Sequence, residues 1–291
     1  MYTADELLEK GMTLSDCDID EVANEIKIAL SESVQNNSKL LALKSKLDSG
    51  STSLTDAYNF SIALGESLES TLSKYFTTES IGSSGLTLLQ IDKWINSVTS
   101  TCNSVTMSYV NTVFNNANAK VGVGVTMTEA IKASDTNVYN KYIRNLLNVP
   151  EKTKNEAITA TWSSGNSILT KTDYLSKGAA NDVIQHTDTQ LKKCMSKNDK
   201  SGVKATIERK NPGSDECAFC RTWSQKGKFD YAHVNDLRKC NFFWRHRYCK
   251  CIFEYIPSTT SPIVETSSKD ITLVSTDLNN SVRKAQSKLK K

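Results

Sequence analysis

Apolar residues in the first 200 positions recur at steps of three and four and seldom alternate, the spacing of helices with a buried stripe. Ile19, Val22, Ile26, Ala29 and Leu30 follow this rule. Asp16 and Asp18 stand where a helix cap is needed, with Glu21 three residues after Asp18 as a capping-box partner, so a first helix is predicted from about Ile19. Leu54, Tyr58, Ile62, Leu68, Leu72 and Tyr75 predict a second helix, weakened by Gly65 in its middle. The clearest pattern is Leu88, Ile91, Ile95, Val98, Cys102, Val105 and Tyr109, a heptad-like seam with Cys102 among its core positions. Ser, Thr and Asn fill the other faces of that segment, which suits packing beside one neighbour. The neighbour is a helix of the same chain or of a second subunit, the former preferred because tertiary packing usually supplies helix stability. Further helical stretches are predicted near Val138 to Leu147, ending before Pro150, and from about Tyr174 to Met195.

The pattern changes near residue 200. Lys200-Ser201-Gly202 breaks the last helix, Val203, Ala205 and Ile207 alternate as in a strand, and Pro212-Gly213 marks a turn. The expected fold is mainly α, an elongated helical N-terminal region over 1–200 followed by a small α+β zinc-stabilised module over 201–260. After Pro257 the chain turns Ser- and Thr-rich and then basic, so 261–291 reads as an arm that is loose unless docked, with Ile263, Val264, Ile271 and Leu273 available to clasp a partner. His186 falls on the last long helix and reads as a packed or surface residue rather than a ligand.

Charge and composition narrow the function classes. No stretch approaches the roughly 18 unbroken apolar residues of a membrane span, and the first residues show no signal-peptide pattern. A reducing compartment is therefore expected, where clustered cysteines are metal ligands more often than disulfides. Five of the eight cysteines fall between 217 and 251. From 201 to 291 there are 17 Lys and Arg against 9 Asp and Glu, which leaves the first 200 residues net acidic. Such an excess permits contact with nucleic acid but is more often simply solvated. Gly122 and Gly124 lack the third glycine and preceding strand of a dinucleotide loop, so they read as an ordinary loop.

Cys217-Ala-Phe-Cys220 offers two thiolates on one turn, half of a tetrahedral zinc site. His246-Arg-Tyr-Cys249-Lys-Cys251 offers the other half, because alternation in an extended chain sends Cys249 and Cys251 to one face while His246 adjoins them. Five candidates compete for four positions. The preferred set is Cys217, Cys220, His246 and Cys251, with Cys249 the closest substitute and Cys240 weaker; His233 matches no ligand spacing. A structural Zn2+ suits so short a module, which has little core of its own. Unligated cysteines packed among Phe219, Trp223, Phe242, Phe243 and Trp244, or a redox pair at Cys217 and Cys220, are the competing readings. Catalytic zinc is disfavoured, because four protein ligands close the coordination shell, and no catalytic residue is assigned.

Ile207-Glu-Arg-Lys-Asn-Pro-Gly213, Cys217-Ala-Phe-Cys220-Arg-Thr-Trp, Gly227, His246-Arg-Tyr-Cys249-Lys-Cys251 and Pro257 together resemble the C-terminal signature of phage minor capsid proteins of the head-morphogenesis (Mu F-like) group. The resemblance covers about 205 to 260 and departs from the family pattern by the insert Lys228 to Arg245, which carries Cys240. It implies a virion component that associates with the portal and other capsid proteins, homo-oligomeric contacts included, and serves head assembly and DNA packaging or ejection. Its expected location is the host cytoplasm during assembly and then the inside of the head. The alternative is a zinc-dependent nucleic-acid-binding protein in which Arg245, Arg247, Lys250 and neighbouring aromatic residues hold phosphates and stack bases. A zinc-stabilised nuclease is the weakest reading, since the chain has only three histidines, His186, His233 and His246.

Overall fold

Asp18 opens the first long helix, its carboxylate accepting from the backbone N–H groups of Asp20 and Glu21, which satisfies two of the donors a helix start leaves free. In the computed structural model this helix, α1, runs Ile19–Gln35, followed by α2 (Ser38–Asp48), α3 (Leu54–Tyr75), α4 (Leu88–Lys120) and α5 (Ser167–Lys200). Two short helices, α6 (Ala218–Ser224) and α7 (Val234–Lys239), accompany the strands β3 (Lys204–Lys210), β4 (Lys228–Asp230) and β5 (Ile252–Ser258). A two-residue pair, β1 (Leu86–Thr87) with β2 (Thr161–Trp162), is antiparallel. The structure describes Glu6 and residues 9–77, 86–129, 161–162, 167–211, 218–239, 242–243, 249 and 251–259. The helix predicted near Val138 to Leu147 and the arm 261–291 lie outside them. The molecule is mainly helical with a small three-stranded antiparallel sheet, and none of its described helices is long and apolar enough to cross a membrane.

The contacts divide the chain into two compact units that interleave in sequence. The first comprises Met1–Ser51, Asn59–Val110 and Glu129–Gln190; the second comprises Thr52–Tyr58, Asn111–Thr128 and Leu191–Lys291. Secondary structure does change near residue 200, with α5 ending at Lys200 and β3 starting at Lys204. The compact units, by contrast, draw the ends of α4 and α5 together with the sheet.

In the first unit, Gly65 is a point of close approach. A Cβ built there would lie 2.9 Å from the backbone oxygen of Ala180, so glycine lets α3 and α5 touch. The helix α3 is continuous through it. Tyr109 donates to the Leu43 carbonyl at 2.9 Å while its ring stacks on Phe60 with centroids 4.2 Å apart. Ile95, Val98, Cys102 and Tyr109 are buried as the seam predicts, but Val105 is 47% exposed and the adjacent Thr106 is buried in its place. The polar flanks of α4 are solvated only in part: Ser100, Thr101, Ser104 and Ser108 are exposed, whereas Thr99, Asn103 and Thr106 are buried. Asn103 shows how: its Nδ2 lies 3.1 Å from Asp182 Oδ2 and 3.2 Å from His186 Nε2, both on α5. Short amides with polar partners bury readily, so polarity alone did not mark an exposed face. The neighbours of α4 in this unit come from the same chain. His186 is a packed residue, with Nδ1 2.9 Å from the Asp182 carbonyl oxygen. Burial pushes the Asp182 carboxyl above its ordinary range, partly offset by His186 and the Asn103 amide.

In the second unit, α4 and α5 end alike. Asn118-Ala-Lys-Val-Gly122-Val123 and Asn198-Asp-Lys-Ser-Gly202-Val203 share an Asn-x-Lys-x-Gly-Val pattern. In both, glycine takes a positive φ, +72° and +74°, and the valine N–H returns to the asparagine carbonyl while the glycine N–H reaches one residue further on. This is the Schellman closure. The asparagine side chains then pair reciprocally, each Nδ2 2.9 Å from the other Oδ1, and Asn198 also donates to the Tyr255 hydroxyl at 3.2 Å. Both asparagines are fully buried. The pairs Asn111 with Cys194 and Asn118 with Asn198 advance together along both helices, so here α4 and α5 run parallel.

The sheet order is β4-β3-β5, both pairs antiparallel. Along β3, Ala205, Ile207 and Arg209 are buried while the residues between them are not, and Phe253, Tyr255 and Pro257 of β5 stand opposite on the same face. Under that face lie Trp223, Phe229, Phe242 and Phe253, with Trp223 and Phe242 edge to face at 5.1 Å. The module therefore has a larger aromatic core than the sequence led us to expect.

Candidate metal centre

Strand alternation and a short helix bring three thiols together. Cys220 sits on α6 and is buried beside Phe219 and Trp223. Cys251 immediately precedes β5, continuing the inward series of Phe253 and Tyr255, and Cys249 is two residues earlier on the same side. All three are at most 2% exposed, and their sulfurs lie within 4.8 Å of one another. The Cys220 and Cys249 sulfurs are 3.5 Å apart. A metal–sulfur bond of about 2.3 Å in a regular tetrahedron sets ligand sulfurs about 3.8 Å apart, so the cluster is sized for one ion. Three soft, closely set, buried sulfurs are the donor set that a metal ion of the zinc type takes. The cluster can hold a metal ion.

Of the five candidates read from sequence, the structure unites Cys220, Cys249 and Cys251. Cys217 and His246, together with Cys240, lie outside the described residues. Cys249, ranked as a substitute, belongs to the cluster on equal terms with Cys251. His233 is in the 3-10 turn Tyr231–His233.

One residue of the Ile207–Gly213 segment was given no role from sequence. Arg209 occupies the inward slot of β3 that follows Ala205 and Ile207 and is completely buried. Its Nη2 donates to Cys220 Sγ at 3.4 Å and Cys249 Sγ at 3.5 Å, and its Nη1 donates to the carbonyl oxygen of Phe242. The guanidinium also lies over the rings of Phe219 and Phe253, at 5.1 and 5.2 Å. Alternation was the available signal: extending Val203, Ala205, Ile207 by two residues places a charge in the core.

Comparison with family models, with curated proteins and with solved structures gives no match to this chain.

The electrostatics of the metal-free cluster favour the protonated Cys251 thiol. In the absence of metal the Cys251 thiol is pushed up. Its hydrogen bond with Cys220 lowers it, and so does the charge of Arg209, but the hydrogen bond with Cys249, burial and the charge of Cys249 together outweigh them. Neighbouring thiolates cannot all be charged without a cation among them, and a bound metal replaces their protons. Two other described cysteines, Cys102 and Cys194, differ. Burial pushes Cys102 up to about 12, and Cys194 is fully buried with its sulfur 3.6 Å from Asn111 Oδ1, so both are packing residues.

Proposed function

We propose that the chain is a minor capsid, or head-morphogenesis, protein of a phage: a non-enzymatic structural component whose C-terminal module is held by a Zn2+ ion. Cys220, Cys249 and Cys251 supply three ligands, and the fourth comes from Cys217 or His246. The observation that carries the reading is the convergence of Cys220 with Cys249 and Cys251 across the intervening insert, because these residues belong to the two halves of the head-morphogenesis signature. The mainly helical region ahead of the module agrees with that family in kind. In this reading the helices make contacts with the portal and neighbouring capsid proteins, in the host cytoplasm and then in the virion.

The test uses the purified full chain. Metal analysis should find one zinc per chain, and the chain should co-sediment with a portal ring encoded beside it, in a manner insensitive to nuclease. Failure to bind the portal, together with duplex or single-strand DNA binding that falls steeply with salt, would replace this reading with the nucleic-acid one.

A further inference from the structure

We propose that Arg209 is the resident counter-cation of the cysteine cluster, a positioning residue that donates N–H···S hydrogen bonds to two ligand sulfurs and matches the centre to a divalent ion. The inference rests on the metal-centre reading and deepens it. Three thiolates around a divalent ion carry a net charge of minus one. A buried anion of that kind is costly without a partner, and so is a buried guanidinium. Each meets the other here. Counted over Cys220, Cys249, Cys251 and Arg209 alone, a divalent ion leaves no net charge, whereas a monovalent ion leaves minus one.

The geometry explains why the residue is an arginine. The planar fork spans Cys220 Sγ, Cys249 Sγ and the Phe242 carbonyl at once, which a lysine ammonium on a flexible stem does not reproduce. The rings of Phe219 and Phe253 beside the guanidinium exclude water and fix its plane. N–H donors on ligand sulfurs draw electron density from them, which tunes the metal–sulfur bond and dampens sulfur nucleophilicity.

The experiment is Co2+ titration of the full chain, wild type against Arg209→Met and Arg209→Lys, read by the sulfur-to-cobalt charge-transfer band and by competition with zinc. Loss of an outer-shell partner of a metal ligand lowers affinity by about 10–100-fold. Arg209→Met should fall in that range and shift the band to longer wavelength, because sulfurs without hydrogen bonds donate more readily. Arg209→Lys, which keeps the charge but not the fork, should recover part of the affinity. Unchanged affinity and band position in either variant would overturn the proposal. So would weakened binding with an unmoved band, which signals a packing role alone. Should Arg209→Met fail to fold, Arg209→Lys decides by the same two readouts. A wild-type chain that takes up no Co2+ sinks the metal-centre reading itself, an outcome distinct from a variant that binds as the wild type does.

Discussion

Replacing Gly65 by alanine separates local helix propensity from tertiary contact. On an exposed helix the change stabilises by about 1 kcal/mol, because alanine loses less backbone freedom than glycine on folding. At residue 65 the new Cβ meets the oxygen of Ala180 at 2.9 Å, with the Ala180 carbonyl carbon and Cα both at 3.4 Å. These are backbone atoms of a 34-residue helix, so no side-chain rotation relieves the contact and one helix must move by roughly half an ångström. Overpacking of this kind costs about 1–3 kcal/mol. The two effects leave a net destabilisation of about 1 kcal/mol. Urea unfolding of wild type and Gly65→Ala, followed by far-UV circular dichroism at a fixed saturating zinc concentration, measures it. Adding Ala180→Gly should not rescue the variant, since the obstacle is the backbone of that residue. A Gly65→Ala protein stabilised by the full propensity increment would refute the close approach of α3 and α5.

Further outcomes follow from the second unit. Cys220→Ser should abolish stoichiometric zinc binding and increase hydrogen exchange in β3 and β5, while Gly65-containing α3 keeps its protection; in the wild type, zinc affinity should rise with pH through the neutral range. The sign follows from Cys251, whose metal-free thiol is raised and therefore still protonated there, so binding must displace its proton; a pH-independent affinity by competition titration would contradict this. Asn198→Ala should cost about 1–3 kcal/mol in urea unfolding, because it takes from the buried Asn118 Oδ1 its Asn198 donor while Nδ2 keeps the Val125 carbonyl, and Asn118→Ala with Asn198→Ala should cost less than the two single changes added.

How much of this was legible in the sequence depended on whether a residue's neighbours were local. The Asp18 cap, the start of α1, the extent of α3 and the glycine stop after α5 are decided within a few residues, whereas Asp16 bonds Thr13 in the turn before α1 and does not cap the helix. The helix α2 was missed, its only buried leucines being Leu40 and Leu43. On α4 part of the polar surface is exposed, at Ser100, Thr101, Ser104 and Ser108, and the part that is buried was hidden for a different reason. Asn103 and Asn118 are polar by type, yet each is buried against a partner about eighty residues away, and no window along one helix contains both. The same distance in sequence hid the interleaving of the two units.

The metal cluster is an instructive mixture of both cases. Cys249 and Cys251 share a face because alternation is local, and the structure agrees. How the pair meets Cys220 is a question of fold, and there Cys249 and Cys251 both join it, with Cys249 also in contact with Arg209. Arg209 is the residue where local and distant causes meet. Its inward position follows from strand periodicity alone, and a charge at such a position is tolerable only if something of opposite sign is already buried there. A core-facing arginine on a strand that precedes a cysteine pair therefore carries information that cysteine spacing does not: on the proposal made above, it balances thiolate charge beyond what the ion neutralises. With a divalent ion and three thiolates that balance is met by the described residues, and a neutral fourth ligand leaves it undisturbed. On this reasoning His246→Ala should weaken zinc binding more than Cys217→Ser, and the reverse order in a competition titration would mean that a fourth thiolate, and a second compensating charge, belong to the centre.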